Sequence, residues 1–190
     1  MTTQLIPPAD LQAAFAIKCE YLDDQPFDKF SRLYQTHADL FVGLYLDDRL
    51  IGLCYGWPFA AGGLEGANKI ILQGIAVIEP YNAKGRGGLL LRHFEEQVAK
   101  RGRHTISVGS AGGYVEGFYQ KNGYHPHQYM ARIDRGSLPA TTDLTIDGHR
   151  DTDSETIVYL PAPTYDPERK ALIKESLKAH EVIFIFEKQV

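Results

Sequence analysis

The chain contains the run Asn82-Ala83-Lys84-Gly85-Arg86-Gly87-Gly88, and this run decides which fold to expect. An apolar segment over 70–77, typical of a buried strand, precedes it, and a helical pattern of apolar residues over 89–101 follows it. The first N–H groups of a helix have no partner within the helix, and glycine lets a phosphate approach the backbone closely. Strand, glycine-rich turn and helix in this order predict a pyrophosphate site, to which Lys84 and Arg86 add positive charge.

Two common phosphate-binding motifs fit this run poorly. A P-loop requires the pattern G-x-x-x-x-G-K-[ST], which does not occur in the chain. A dinucleotide-binding fingerprint requires G-x-G-x-x-G/A. Gly85 and Gly87 supply only the first pair of that fingerprint, because Leu90 occupies its third position. The run therefore favours a ligand that contains a pyrophosphate but is bound by neither a P-loop nor a dinucleotide-binding fingerprint.

Two sequence elements, the glycine-rich run and a tyrosine-containing segment that follows it, together indicate which ligand the chain binds. The run after Val77-Ile78-Glu79-Pro80 resembles the Gln/Arg-x-x-Gly-x-Gly/Ala motif of the GCN5-related N-acetyltransferases, with Asn82 in place of the first Gln or Arg. The segment VEGFYQKNGY over 115–124 resembles the Ala-x-x-x-Tyr-x-x-x-Gly-Phe signature of the same family, with Val115 and Tyr124 as variants. Both elements stand in the family's order, and the resemblance covers roughly residues 40–133.

The resemblance implies a fold and a domain organisation. The expected α/β (α+β) fold has a mixed, mostly antiparallel central sheet flanked by helices, and acyl-CoA is wedged between two splayed parallel strands. We expect one domain over 1–190, because the length suits a single core and no linker is evident. The segment at about 135–165 is an insertion that the minimal fold does not require.

The resemblance also implies acetyl-CoA as the acyl donor and no metal. The strand before the turn would pair with the pantetheine amides, and a backbone N–H near Ile75 or Ala76 would hold the developing oxyanion. His125 and His127 alone make a poor metal site. The residues assigned to acetyl-CoA are Ile75, Ala76, Val77, Ala83, Lys84, Gly85, Arg86, Gly87 and Gly88.

Tyr119 is the catalytic residue that the resemblance implies, as the acid that protonates the leaving thiolate. A phenol suits this task because it stays protonated near neutral pH. The alternative is an aromatic side chain that only packs against strand and cofactor. No general base is assigned, because Ser107 and Gly112 stand where the family can carry a Glu and an Asn. The other candidate bases are expected to be surface carboxylates, namely Glu65, Glu79 and Glu116.

The function implied by the resemblance is transfer of an acetyl group from acetyl-CoA to a primary amine of a small molecule, by direct attack in a ternary complex. A protein N-terminus or lysine as acceptor, and a non-catalytic acyl-CoA-binding module, are the alternatives. In the family, the first two helices form one wall of the acceptor site. Acidic residues between these helices either attract a cationic amine or belong to a solvated loop, namely Asp23, Asp24 and Asp28.

Composition and charge exclude several classes of protein. A net charge of −4 argues against a general nucleic-acid binder. The start Met1-Thr2-Thr3-Gln4 lacks the pattern of a signal peptide, and no apolar run is long enough to span a membrane. Cys19 and Cys54 form no disulfide or zinc pattern, so each is expected to be buried in a reducing cytoplasm. A homodimer is left open.

Periodicity and turn residues predict the order of helices and strands. Asp10 is the expected cap of the first helix, and Gly74 is expected to mark a bulge in the central strand. The predicted helices cover 11–21, 26–37, 89–101, 114–122 and 166–178. The predicted strands cover 40–46, 50–57, 69–77, 105–108, 128–133, 156–160 and 182–186, with a further hairpin arm at 144–148. We expect the last strand to lie beside the one before it.

Overall fold

The computed structural model forms two compact units, residues 1–106 with 189–190 and residues 107–188, and each is described by itself. Among the described residues, no helix combines the length and the apolar character needed to cross a membrane. The prediction of one domain over 1–190 stays a prediction. The structure describes residues 1–23, 25–59, 68–82, 85–102, 104–110, 112–139 and 143–190.

In the described part of the first unit, the main strands are β1 (Thr2–Leu5), β2 (Phe41–Leu46), β3 (Arg49–Pro58) and β4 (Lys69–Val77). They pair antiparallel in the order β1-β2-β3-β4. The α-helices described there are α1 (Leu11–Tyr21), α2 (Phe27–His37) and α3 (Arg86–Ala99). Strand β5 (Thr105–Ser110) begins in this unit and continues into the second.

A bulge interrupts the pairing of β3 with β4 next to Gly74. Tyr55 pairs with Gly74, but the next residue, Gly56, pairs with Leu72, so Gln73 is the extra residue on β4. This confirms the predicted bulge at this point of the strand. A Cβ on Gly74 would lie 2.6 Å from Leu22 Cδ1, so the Leu22 side chain packs closely against the strand at the glycine.

The core of the first unit is rich in aromatic side chains. Phe30 of α2 lies 5.3 Å from both Phe41 and Tyr55 between ring centroids, and both contacts are edge-to-face, a geometry that aromatic pairs favour. Leu90, Phe94 and Val98 of α3 are completely buried. Their spacing of four residues places them on one helix face, as the sequence predicts.

In the described part of the second unit, the strands beyond β5 are β6 (His125–Asp134), β7 (Gly148–Asp151), β8 (Glu155–Pro161) and β9 (Glu181–Gln189). Their order is β5-β9-β6-β8-β7. The helices described there are α4 (Tyr114–Lys121) and α5 (Pro167–Ser176). Asp166 caps α5 by accepting a hydrogen bond of 2.9 Å from the Arg169 N–H, and Gly123 ends α4 in the left-handed region with φ 83°.

Strands β7 and β8 form an antiparallel hairpin, and β8 also pairs with β6. The predicted arm at 144–148 is therefore wrong, because the strand begins only at Gly148. The last strand pairs with β6 and not with β8, the strand before it. His125 and His127 lie within β6, which begins earlier than the strand predicted over 128–133.

Three further expectations are corrected in the first unit. Strand β1 was absent from the sequence prediction, and it pairs with β2. The Asp10 side chain does not cap α1 but accepts a hydrogen bond of 2.8 Å from the Tyr45 hydroxyl. Cys54 is buried as expected, whereas Cys19 is exposed.

The predicted fold class is confirmed. Mostly antiparallel strands are flanked by helices, and the predicted boundaries of α1 and β4 match the observed ones. The segment 135–165 contributes the hairpin of β7 and β8 to the second unit.

Candidate functional site

The glycine-rich run forms the start of α3. Gly85 is the N-cap residue, with φ 75° and ψ 10°, a left-handed conformation that glycine adopts without strain. The first hydrogen bond of the helix runs from the Leu89 N–H to the Gly85 carbonyl at 3.2 Å. The N–H groups of Arg86, Gly87 and Gly88 precede that bond, so they belong to the first turn, whose donors have no partner within the helix. Ala83 and Lys84 lie outside the described residues.

The Arg86 side chain is held at the turn before α3. Its Nη1 donates a hydrogen bond of 3.1 Å to the Tyr81 carbonyl, and its guanidinium carbon lies 5.6 Å from the centroid of the Tyr81 ring. The positive charge therefore stays beside the N-terminus of α3, where the helix dipole also favours an anion.

The strand residues assigned to the donor lie on β4, shortly before this turn. Ile75, Ala76 and Val77 pair with Cys54, Leu53 and Gly52 of β3. Ala76 is buried, and its two neighbours are half-buried. The bulge at Gln73 comes directly before them, and bulges are frequent next to active sites.

Tyr119 lies in the second unit, on α4. It is 3% exposed, and its ring centroid lies 5.6 Å from that of Tyr124 and 6.2 Å from that of Phe186 on β9. The aromatic neighbours fix the position of the ring.

Glu116 is not the surface carboxylate that the sequence led us to expect. It is 3% exposed, and the Tyr165 hydroxyl donates a hydrogen bond of 2.5 Å to its Oε2. The Lys170 Nζ lies 3.4 Å from its Oε1. Glu79 is exposed as expected, and Glu65 lies outside the described residues.

A polar cluster in the first unit connects α1 with the segment before α2. Lys18 is completely buried, and its Nζ donates to the Asp23 carboxylate and to the backbone carbonyls of Asp23 and Gln25. Burial acts to raise the pKa of Asp23, but hydrogen bonds from Lys18 and from the Gln25 N–H outweigh it, so the pKa is lowered. Asp28 is exposed, and Asp24 lies outside the described residues.

Two buried polar atoms near this cluster have no hydrogen-bond partner in the described part of the chain. They are the Tyr55 hydroxyl oxygen and Gln25 Oε1. Burial and the charge of Asp23 raise the pKa of Tyr55 well above its ordinary value, so its hydroxyl remains a donor. Buried polar groups in native proteins are almost always paired, so these two atoms call for an explanation.

A family profile described as the acetyltransferase (GNAT) family matches residues 10–124. The chain belongs to this family. The match includes the start of α3 and the whole of α4, so it covers the glycine-rich run and Tyr119. This GNAT protein is an acyltransferase that uses acetyl-CoA as its donor. A comparison with curated proteins finds no significant match.

Solved structures with the same fold include acetyltransferases of different kinds. Ard1 from Thermoplasma volcanium has a TM-score of 0.58 at 14% identity, covering 87% of this chain and 98% of that one. The ribosomal-protein-S18-alanine N-acetyltransferase from Escherichia coli has a TM-score of 0.53 at 19% identity, with coverages of 87% and 96%. The diaminobutyrate acetyltransferase EctA from Paenibacillus lautus, solved with L-2,4-diaminobutyric acid and coenzyme A, has a TM-score of 0.56 at 11% identity, with coverages of 87% and 96%.

Sequence reasoning missed three residues of interest in this acetyltransferase. Tyr55 and Gln25 carry no local motif, and Tyr165 becomes notable only through its contact with Glu116. Glu116 is named as a candidate base from the sequence but is expected at the surface, although a residue three positions before Tyr119 on a helix shares its face. Among the described residues, no group of three or more potential metal ligands occurs.

Proposed function

We propose that this GNAT enzyme acetylates a primary amine of a small molecule by direct attack in a ternary complex. The amine nitrogen attacks the thioester carbon of acetyl-CoA, and the C–S bond breaks as the amide forms. Tyr119 donates its proton to the departing thiolate and regains one from solvent, and the nitrogen releases its extra proton to solvent. The first turn of α3 would hold the pyrophosphate, with Ile75, Ala76 and Val77 along the pantetheine.

The observation that supports a small amine is the pair of unpartnered buried atoms beside Asp23. Gln25 Oε1 and the Asp23 carboxylate accept hydrogen bonds, and the neutral Tyr55 hydroxyl can accept as well as donate, so together they suit a ligand that carries N–H donors, such as a primary amine. The Asp23 side chain is 34% exposed, so a ligand can reach it from solvent. Tyr55 pairs with Gly74, directly before the residues assigned to the thioester end of the donor.

The fold alone does not determine which amine is the acceptor. The E. coli neighbour is named for a ribosomal protein and the P. lautus neighbour was solved with its substrate L-2,4-diaminobutyric acid, yet both share this fold. The Tyr55 and Gln25 atoms are buried, so they favour a compact acceptor group over an extended peptide.

Calorimetric titration with acetyl-CoA, followed by a library of primary amines and of peptides with a thiol readout, tests this function. We expect micromolar binding of acetyl-CoA and release of free thiol that depends on a small amine. Thiol release with peptides alone would contradict the proposed acceptor, and binding without turnover with any amine would contradict catalysis.

Tyr55→Phe is expected to raise the KM for the amine by about fivefold without lowering stability. The variant removes one hydrogen bond to the ligand, worth roughly 1 kcal/mol, and it also removes a buried hydroxyl that has no protein partner. Steady-state kinetics with the amine found in the library, together with urea denaturation, measures both effects.

Tyr34→Phe is the matched control for that variant. The Tyr34 hydroxyl is also buried, but it donates a hydrogen bond of 2.8 Å to the Ile6 carbonyl. Its loss should cost about 1 kcal/mol of stability and leave the KM for the amine unchanged. If Tyr55→Phe instead destabilises the fold and leaves the KM unchanged, its hydroxyl has no part in acceptor binding.

A further inference from the structure

Glu116 is a buried carboxylate on the same helix as Tyr119 that the reaction described above does not use. The two residues are three positions apart on α4, so they share one helix face, and each is 3% exposed. Burying an isolated carboxylate costs free energy, so neighbouring groups must compensate its charge.

Two groups from outside α4 compensate the carboxylate, and with Glu116 they form what we call the Glu116 cluster: Glu116, Tyr165 and Lys170. Each carboxylate oxygen contacts one of them, the Tyr165 hydroxyl at 2.5 Å and the Lys170 Nζ at 3.4 Å. The hydrogen bond to Glu116 is the main cause that raises the pKa of Tyr165 to about 12, so this phenol stays a donor. The Lys170 side chain is 19% exposed, so little water reaches the ion pair.

The Glu116 cluster and Tyr119 pack on the same two aromatic side chains of β9. The Phe186 ring centroid lies 6.2 Å from that of Tyr119 and 6.4 Å from that of Tyr165. Phe184 lies 5.0 Å from Tyr165 between centroids, and the Lys170 Nζ lies 5.6 Å from the Phe184 centroid. Charges surrounded by aromatic rings are screened less than charges in water, so they act more strongly on a neighbouring phenol.

Other ionisable groups also face Tyr119 within the second unit. Tyr124, after α4, lies 5.6 Å away between ring centroids. Lys188 of β9 reaches over the Tyr124 ring at 5.5 Å and donates to the Asn122 carbonyl. Variants of Glu116 or Lys170 leave these groups in place, so differences between such variants report on the Glu116 cluster alone.

We propose that Glu116 is a positioning residue for acetyl transfer: its negative charge keeps the Tyr119 phenol protonated, and Lys170 limits the strength of that effect. An anion close to a phenol disfavours the phenolate, and a cation favours it. Tyr165, the last residue of the segment 135–165, would then hold the carboxylate in place, which assigns a role to that segment. The inference rests on the proposed role of Tyr119 as the acid.

Tyrosine labelled with ¹³C at Cζ allows the ionisation of Tyr119 to be followed by NMR without any acceptor. The protein has eleven tyrosines, and the resonance that Tyr119→Phe removes identifies Tyr119. We expect Glu116→Gln to lower the titration midpoint of Tyr119 and Lys170→Met to raise it, each by about half a unit to one unit. A merely structural role for the cluster would not shift the two variants in opposite directions.

Shifts in the same direction, or midpoints unchanged in both variants, would overturn the proposal. If Glu116→Gln does not fold, Lys170→Met decides alone, because it keeps the carboxylate and its Tyr165 partner. Failure of this inference is distinguishable from failure of the proposed function. If the two variants shift the Tyr119 midpoint in opposite directions while Tyr119→Phe keeps full turnover, the Glu116 cluster does act electrostatically on Tyr119, but Tyr119 is not the acid.

Discussion

Gly87→Val is expected to lower the affinity for acetyl-CoA by at least about 100-fold. Gly87 lies in the first turn of α3, directly after the Gly85 cap and Arg86, where backbone N–H groups would face the pyrophosphate. A β-branched side chain at this position would keep the phosphate oxygens from reaching those N–H groups, and the helix dipole acts only over a short distance. Isothermal titration calorimetry of the variant and the wild type measures the change.

Gly148→Val is the matched control for this experiment. Gly148 begins β7, and a Cβ built on it would have no neighbour within 4 Å. A valine in a strand is well tolerated, so the control should bind acetyl-CoA as the wild type does. Unchanged affinity in Gly87→Val, with circular dichroism showing a folded protein, would place the pyrophosphate elsewhere.

Tyr119→Phe is expected to lower kcat by about 100-fold while the Kd for acetyl-CoA stays within about twofold. The phenol would act only as the thiolate departs, so its loss removes stabilisation of the transition state and leaves ground-state binding intact. The ring keeps its contacts with Tyr124 and Phe186 in the variant, so the packing of α4 is preserved. Steady-state kinetics and calorimetry on the same preparation separate the two quantities.

Tyr129→Phe serves as the control for loss of a buried tyrosine hydroxyl. Tyr129 is completely buried on β6, and its hydroxyl donates a hydrogen bond of 3.0 Å to the Asp166 carbonyl. This control should lose about 1 kcal/mol of stability and keep the wild-type kcat. Wild-type turnover in Tyr119→Phe would remove the proposed acid, and an equal loss of turnover in both variants would point to a general structural effect.

Much of the fold could be predicted because the relevant signals are local. The spacing of Leu90, Phe94 and Val98 defines one face of α3, and all three are buried. Gly123 follows a helical pattern, where glycine favours a left-handed residue, and its φ is positive. The bulge beside Gly74 also followed from a glycine within a strand pattern.

Errors arose where a residue's environment depends on distant parts of the chain. Strand β1 has a short polar sequence that becomes a strand only because it pairs with β2, about 40 residues later. Asp10 has the sequence of a helix cap, but the Tyr45 hydroxyl, 35 residues away, takes its carboxylate as acceptor instead. In both cases a tertiary contact outweighed a local preference.

The family, the donor and the order of the central elements follow from the amino-acid sequence, because the glycine-rich run and the tyrosine element are contiguous motifs. The burial of Glu116 is evident only in the folded chain, since Tyr165 and Lys170 lie 49 and 54 residues away from it. Only the tertiary structure showed that the Tyr55 hydroxyl is buried without a protein partner. Burial and polar pairing depend on which distant side chains meet, and the spacing of residues along a single element does not encode those contacts.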